Sequence, residues 1–376
     1  MIRLARSWHK LALAIGGTLG IAVVLVLAVV YSGVYNVAAS RGHPAWLDWF
    51  LALGMRRSVS SQSSGVLSPP LDSPDLVRLG GAHFHFGCAN CHGAPGQAEN
   101  PIYDHMLPSP PRLELEADSW TSAQLFWIVR HGIQYAGMPF WSGDGRDDEI
   151  WAVVAFLRVL PELDAASYLS LVSGNVEGAP FPAEKLTLLG ARQVPVTACA
   201  RCHDTESRPP TSAFVPRLGG QSRHYLAEAL RQYRDGNRDS GFMEPVAAEL
   251  TDVEIAALAR FYAELDSPPS MPAAPSAVTL RRGRELAEKG DPEAGIPPCE
   301  SCHAAGVLPA YPRLAGQSQA YIEAQLDLWR VAGRSKTESG RLMGTIGARL
   351  SAPQVEQGAA HYARLQPFDA GGERLP

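Results

Sequence analysis

The sequence predicts an all-α protein, with three tandem helical domains set behind an N-terminal helix that crosses a membrane. Three observations predict it. A C-x-x-C-H pentapeptide occurs three times and uses all six cysteines: Cys88-Ala89-Asn90-Cys91-His92, Cys199-Ala200-Arg201-Cys202-His203 and Cys299-Glu300-Ser301-Cys302-His303. Each copy sits in a segment of ordinary domain size that closes on a stretch with helical apolar spacing. Finally, Leu11–Val30 is nearly all apolar, and no charged residue occurs from Leu11 to Ser40.

C-x-x-C-H is the attachment pattern for c-type haem. One turn of backbone presents two thiols to one porphyrin edge, as thioethers, and swings the adjacent imidazole beneath the iron. A zinc site would need two C-x-x-C knuckles close enough to close a tetrahedron, yet these lie about a domain apart. A redox-active dithiol does not require the following histidine. The expectation is three covalently bound haem c groups, held by Cys88, Cys91, Cys199, Cys202, Cys299 and Cys302. His92, His203 and His303 are then axial iron ligands.

The N-terminal segment reads as a cytoplasmic stretch over 1–10 and a transmembrane anchor over 11–35. Twenty residues of helix span about 30 Å, the thickness of the hydrocarbon core. Arg3, Arg6 and Lys10 precede it, which keeps the N-terminus inside and sends the remainder outward. Val37-Ala38-Ala39 resembles a signal-peptidase site, but the apolar run is longer than a typical signal core, so a retained anchor is expected. Residues 41–57, with Trp46, Trp49, Phe50 and the Arg56-Arg57 pair, read as an amphipathic helix at the membrane interface. A Ser-rich linker follows over 58–72. The expected location is a bacterial inner membrane, single-pass, with the haem domains in the periplasm, where such attachment takes place.

The first domain is expected over 73–163. Pro74 starts a helix whose Leu76, Val77, Leu79, Ala82, Phe84 and Phe86 lead into Cys88. A polar loop follows, in which Pro108, Pro110 and Pro111 forbid regular structure. A helix capped by Thr or Ser runs from Thr121 to His131. Next come Gly137-Met138-Pro139-Phe140-Trp141 and a helix, Ile150–Leu160, opened by Asp147-Asp148-Glu149. This order resembles class I cytochrome c, and the resemblance implies a Met thioether as sixth iron ligand, commonly in a Met-Pro context. Met138 is the expected ligand. Met106 lies too soon after His92, and a bis-His iron using His131 is the alternative. His83, His85, His105 and His131 read as surface or loop residues.

Domains at 184–266 and 278–366, with linkers at 164–183 and 267–277, form an internal duplication. Pro216-Arg217-Leu218-Gly219-Gly220-Gln221-Ser222 returns as Pro312-Arg313-Leu314-Ala315-Gly316-Gln317-Ser318. Helices carrying Tyr225, Leu230 and Tyr233, or Tyr321, Leu326 and Trp329, follow. Closing helices are expected at Asp252–Leu265 and Ala352–Leu365, their aromatics packing near the haem. Met243 follows His203, and Met343 follows His303, by the same 40 residues, as ligand pairs across a duplication should. Residues 184–365 resemble the dihaem cytochrome c4 family, which implies two facing class I domains that shuttle electrons to a terminal oxidase. The extra tethered domain in front departs from that family.

His plus Met ligation closes both axial positions of an iron and raises its potential. Three such centres make an electron relay rather than a catalytic site, so an electron-transfer protein and not an enzyme is expected. The sequence carries no nucleophilic triad, phosphate loop or supported carboxylate pair. Formal charge is −5, which argues against nucleic acid as a partner. The expected donor is a quinol-oxidising complex or a dehydrogenase, and the acceptor a terminal oxidase or a soluble cytochrome. A dehydrogenase subunit passing substrate electrons to quinone is the alternative reading; a peroxidase-type enzyme would need an iron open on one side. Charge falls unevenly, at −8 over 72–164, −2 over 184–266 and +2 over 278–366, which would steer partners of opposite sign to the two ends.

Overall fold

The structure, a computed structural model, describes residues 2–97, 100–172, 199–266, 275–304, 308–330 and 336–367. The start of the expected second domain, 184–198, and most of the two expected linkers, 173–183 and 267–274, lie outside the described residues. The chain is all-α. Among the described residues the extended pairings are isolated bridges, Thr205 with Arg208 and Asp291 with Ile296.

It divides into two compact units. The first holds residues 1–56 and 101–109. Its α1 (Ile2–Ser32) contains a 20-residue stretch, Leu13–Ser32, of mean hydropathy 2.7 and no burial within the chain. That is long and apolar enough to cross a bilayer. Helix α2 (Ala45–Gln62) exposes Trp46, Trp49 and Phe50. It continues five residues beyond the expected end at 57. Its last turn lies in the second unit, where Val59 is only 1% exposed, so the expected linker begins as helix because it has an apolar anchor.

The second unit contains three helical groups. In the first, α3 (Pro74–His83) crosses α6 (Asp147–Val159). The approach is so close that a Cβ on Gly80 would strike the Ala152 carbonyl, which is why glycine occupies the crossing. Phe84, Ile150, Val153, Val154, Phe156 and Leu160 are fully buried there. Beyond α3 a π-turn, Phe84–Cys88, leads into α4 (Ala89–His92). Helix α5 (Ser122–His131) begins on a capping box: Thr121 accepts from Gln124 N–H, and the Gln124 side chain accepts from Thr121 N–H. The stretch expected to start a linker, Ala165–Val172, is instead helix α7, and its Tyr168 and Val172 are fully buried in this core. Tyr168 lies close to Phe84 and Phe156, and that apolar contact holds the segment in place.

The second group holds α8 (Arg223–Arg234), α9 (Met243–Ala248) and α10 (Asp252–Ala263) around Leu226, Ile255, Leu258, Phe261 and Tyr262. The third holds α11 (Ala277–Lys289), α12 (Glu300–His303), α13 (Gln319–Arg330), α14 (Glu338–Gly347) and α15 (Ala352–Arg364). Gly283 of α11 repeats the role of Gly80, facing the Gln357 carbonyl of α15 with no room for a Cβ.

The two Pro-Arg-Leu segments exchange glutamines. Arg217 N–H donates to Gln317 Oε1 at 3.0 Å, and Gln317 Nε2 donates to Arg217 O at 2.7 Å. In the mirror pair, Arg313 N–H donates to Gln221 Oε1 at 2.9 Å and Gln221 Nε2 to Arg313 O at 2.7 Å. Both glutamines are buried, so each side chain completes the backbone of the opposite group. The repeated element is thus a reciprocal latch.

Candidate functional site

Each C-x-x-C-H copy folds as a single helical turn. His203 N–H closes on Cys199 O at 2.9 Å and His303 N–H on Cys299 O at 3.0 Å, while the first copy runs into α4. The three histidines then make the same hydrogen bond. Nδ1 of His92, His203 and His303 lies 2.8, 2.9 and 2.8 Å from the carbonyls of Pro111, Pro216 and Pro312. A carbonyl only accepts, so Nδ1 carries the proton and Nε2 keeps a free lone pair. Burial lowers the pKa of all three rings, against the pull of the prolyl carbonyl, and keeps them neutral. A neutral imidazole with its outer nitrogen anchored is what a metal ligand needs.

The acceptor prolines come 19, 13 and 9 residues after their histidines. All three open a Pro-Arg-Leu triplet, including Pro111-Arg112-Leu113 of the first group. Reading by fixed spacing found the triplet only in the duplicated pair; aligning the copies on the triplet itself would have revealed the third.

The six thiols are half-buried. Burial pushes Cys88 and Cys199 up to about 12, and Cys202 and Cys299 up to about 11. Thiols shifted in this way stay protonated, unlike the thiolates of reactive dithiols. Among the described residues no cluster of His, Cys, Asp and Glu could hold a metal ion by itself.

The structure brings His303 and Met343 to one cleft, with Tyr311 and Trp329 beside them and Tyr225 and Arg238 entering from the second group. Met243 opens α9, its N–H donating to Ser240 Oγ at 3.0 Å. Met138 sits in the loop between α5 and α6, its carbonyl accepting from Ile133 N–H at 3.3 Å. Both are half-buried and lie in the same helical groups as His203 and His92. Met106 belongs to the first unit and His92 to the second. His131 is exposed against Trp127. Contrary to the expected surface position, His83 is wedged between Phe242 and Trp141, with ring centres 4.5 and 4.9 Å away. That burial lowers its pKa to about 4. His85 meets the Tyr168 hydroxyl at 2.8 Å.

Residues 75–157 match the family model described as cytochrome C oxidase, cbb3-type, subunit III. A protein of Thiomonas intermedia named thiosulfate dehydrogenase electron acceptor is 38% identical over 175 residues, covering 46% of this chain and 79% of that one. A cytochrome c4 of Thiocapsa roseopersicina is 32% identical over 162 residues, covering 42% and 81%. The chain belongs to the class I c-type cytochromes. Within that family its resemblance is to cytochrome c4, and a further relative, the thiosulfate dehydrogenase electron acceptor of Stutzerimonas stutzeri, is 32% identical over 210 residues, 55% of this chain and 94% of the other.

Membership of the c-type cytochromes implies covalently bound haem c, and the residues present fit it. Besides the Cys and His turns, two guanidinium groups, buried Arg217 and half-buried Arg238, have buried nitrogens without an acceptor among the described residues. Arg217 is 2% exposed; its Nε reaches Gly219 O at 3.3 Å, while neither terminal nitrogen has an acceptor among the described residues. Arg238 packs over Tyr233 with its Nε likewise open. Haem carries two carboxylates, the partners that such donors lack.

Proposed function

We propose that this c-type cytochrome is a membrane-anchored, three-haem electron relay exposed to the periplasm, with domains at 73–172, 184–266 and 278–366. The observation that carries the reading is the histidine-to-proline hydrogen bond, made three times behind three C-x-x-C-H turns. Cys88, Cys91, Cys199, Cys202, Cys299 and Cys302 would form the thioethers. His92, His203 and His303 would take one face of each iron, and Met138, Met243 and Met343 the other. Haem so ligated supplies a reversible one-electron couple with no vacant coordination site. The surrounding residues fix the imidazole tautomer, keep water from the apolar face and neutralise the carboxylates.

Two names among the comparisons bear on direction. The relatives called thiosulfate dehydrogenase electron acceptors favour a periplasmic dehydrogenase as donor to the c4-like pair. The match of residues 75–157 to an oxidase subunit favours a terminal oxidase as destination for the first domain. The route so read runs from dehydrogenase through the pair to the first domain and the oxidase. A quinol-oxidising complex as donor is the second reading, favoured by the apolar helix α1, which would hold the relay beside other membrane complexes.

The test is reduction of the purified, detergent-solubilised holoprotein by a thiosulfate dehydrogenase with its substrate, followed at the haem absorbance. Reduction of all three haems at one enzyme-limited rate is expected. No reduction, with quinol-oxidising complex present and active in a parallel assay, would transfer the donor role to that complex.

A further inference from the structure

The loop that leads to Met243 is held from two other groups at once. Glu149, in the first turn of α6, is 3% exposed and accepts from Ser240 Oγ at 2.5 Å and from Gly241 N–H at 2.6 Å. Arg146 holds the same carboxylate at 2.7 Å, makes a forked pair with Asp148, and donates to Asp239 O at 2.9 Å. From the third group, Lys336 reaches Asp239 at 2.6 Å. Shape repeats the message, because a Cβ on Gly241 would enter the Trp141 indole and one on Gly143 would press on Ser240 and Gly241. The segment just after Met138 therefore packs on the segment just before Met243.

The polar contacts run in series. Met243 N–H donates to Ser240 Oγ, and Ser240 O–H donates to Glu149. Two hydrogen bonds thus join a carboxylate of the first group to the backbone of Met243, and the one from Ser240 to the carboxylate is of the strong, charge-assisted kind. The same two groups also meet elsewhere, without touching this loop. Ser212 Oγ donates to Asp75 O at 2.9 Å, Ala213 N–H to Asp75 Oδ1 at 3.1 Å, and Arg201 lies 3.3 Å over the Phe86 ring.

We propose that Glu149, fixed by Arg146, is a positioning residue for Met243, so that docking of the first group sets the midpoint potential of the second haem. The inference rests on Met243 as the distal ligand proposed above. Outer partners that fix a ligand's position tune the metal it binds, and a thioether held in register favours the reduced iron. In a chain with two facing domains alone no such carboxylate would be supplied; here the potential of the middle centre depends on its neighbour.

The experiment is a redox titration of the full-length haem-loaded protein, with the weak near-red Met–iron band recorded for the ferric form. Glu149→Ala, Met243→His, their combination and Ser212→Ala are compared. Glu149→Ala is expected to shift one midpoint downward, changing the ferric-to-ferrous ratio at fixed potential about tenfold, or 59 mV for a one-electron couple. That shift should vanish in the Met243→His background, and Ser212→Ala should leave all three midpoints in place. Glu149→Gln, which keeps one acceptor, should give a smaller shift of the same sign and decides the matter if the Ala variant does not fold. If Met243→His moves one midpoint and the Glu149 variants move none, the inference fails and the ligand assignment stands. If Met243→His moves none, both fail. If Ser212→Ala produces the same shift, the effect belongs to the interface as a whole and the positioning role is lost.

Discussion

Replacing Gln317 by Ala should open the latch between the second and third groups at one defined place. The substitution removes two hydrogen bonds, of 3.0 and 2.7 Å, and leaves both Arg217 N–H and Arg217 O without their partner. Arg217 is 2% exposed, so water does not readily replace what is lost. Each orphaned buried group costs about 1–3 kcal/mol, and two together cost about 2–4 kcal/mol after some local relaxation. That is a sizeable share of the 5–15 kcal/mol that holds a typical domain folded. Because unfolding of a multidomain chain is not a two-state event, amide hydrogen exchange is the better assay. Exchange at Arg217 should accelerate at least 30-fold in Gln317→Ala, the equivalent of about 2 kcal/mol. Gln221→Ala should do the same at Arg313. Gln317→Met, which fills the volume without the hydrogen bonds, should resemble Gln317→Ala and separate polar loss from cavity formation. An Arg217 exchange rate within twofold of the parent in both Gln317 variants would refute the reasoning.

Other consequences follow from single contacts. His83 is neutral in the fold with a pKa of about 4, against 6.5 when unfolded, so it contributes stability above pH 6.5 that is lost as pH falls toward 4. The loss is about 3 kcal/mol at most, and His83→Phe, which keeps the stack on Phe242 and Trp141, should flatten a stability profile measured across that window. Gly283→Ala should cost about 1–3 kcal/mol by overpacking the crossing with α15, read as a lower midpoint for loss of helicity in the third group. Thr121→Ala removes the capping box of α5 and should cost about 0.5–2 kcal/mol, with faster exchange confined to the first turn of that helix.

Much of the architecture was legible because local chemistry announces it. Pro74, Thr121 and Asp252 mark helix starts within one residue of those observed, and the closing helices end one or two residues before the expected Leu265 and Leu365. The haem turns were legible for a different reason, since Cys and His at that spacing have few other uses. What the sequence hid was tertiary. Glu149 reads as an acidic residue at a helix start, which it is, but its two acceptor bonds come from a chain segment 91 and 92 residues away. The glutamines of the repeat signalled a duplication without revealing that each serves the opposite copy. Ala165–Val172 follows a domain-closing helix and looked like connection; only packing of Tyr168 against Phe84 and Phe156 shows that it belongs to the core. His83 reads as a surface residue because nothing local places Phe242 beside it.

The distance along the chain from each histidine to its prolyl acceptor has a consequence for how such proteins diversify. The acceptor carbonyl is the same in all three groups, yet the intervening chain runs 9, 13 or 19 residues. Closing a loop twice as long costs only about 0.6 kcal/mol more, so length there is nearly free while the end points stay fixed. The longest of these excursions, in the first group, includes Pro101–Ser109, none of whose residues is fully buried. This stretch is therefore an insertion site in the engineering sense. New surface for a different protein can be grafted into it, exchanged or trimmed, and the tautomer of His92 will not register the change.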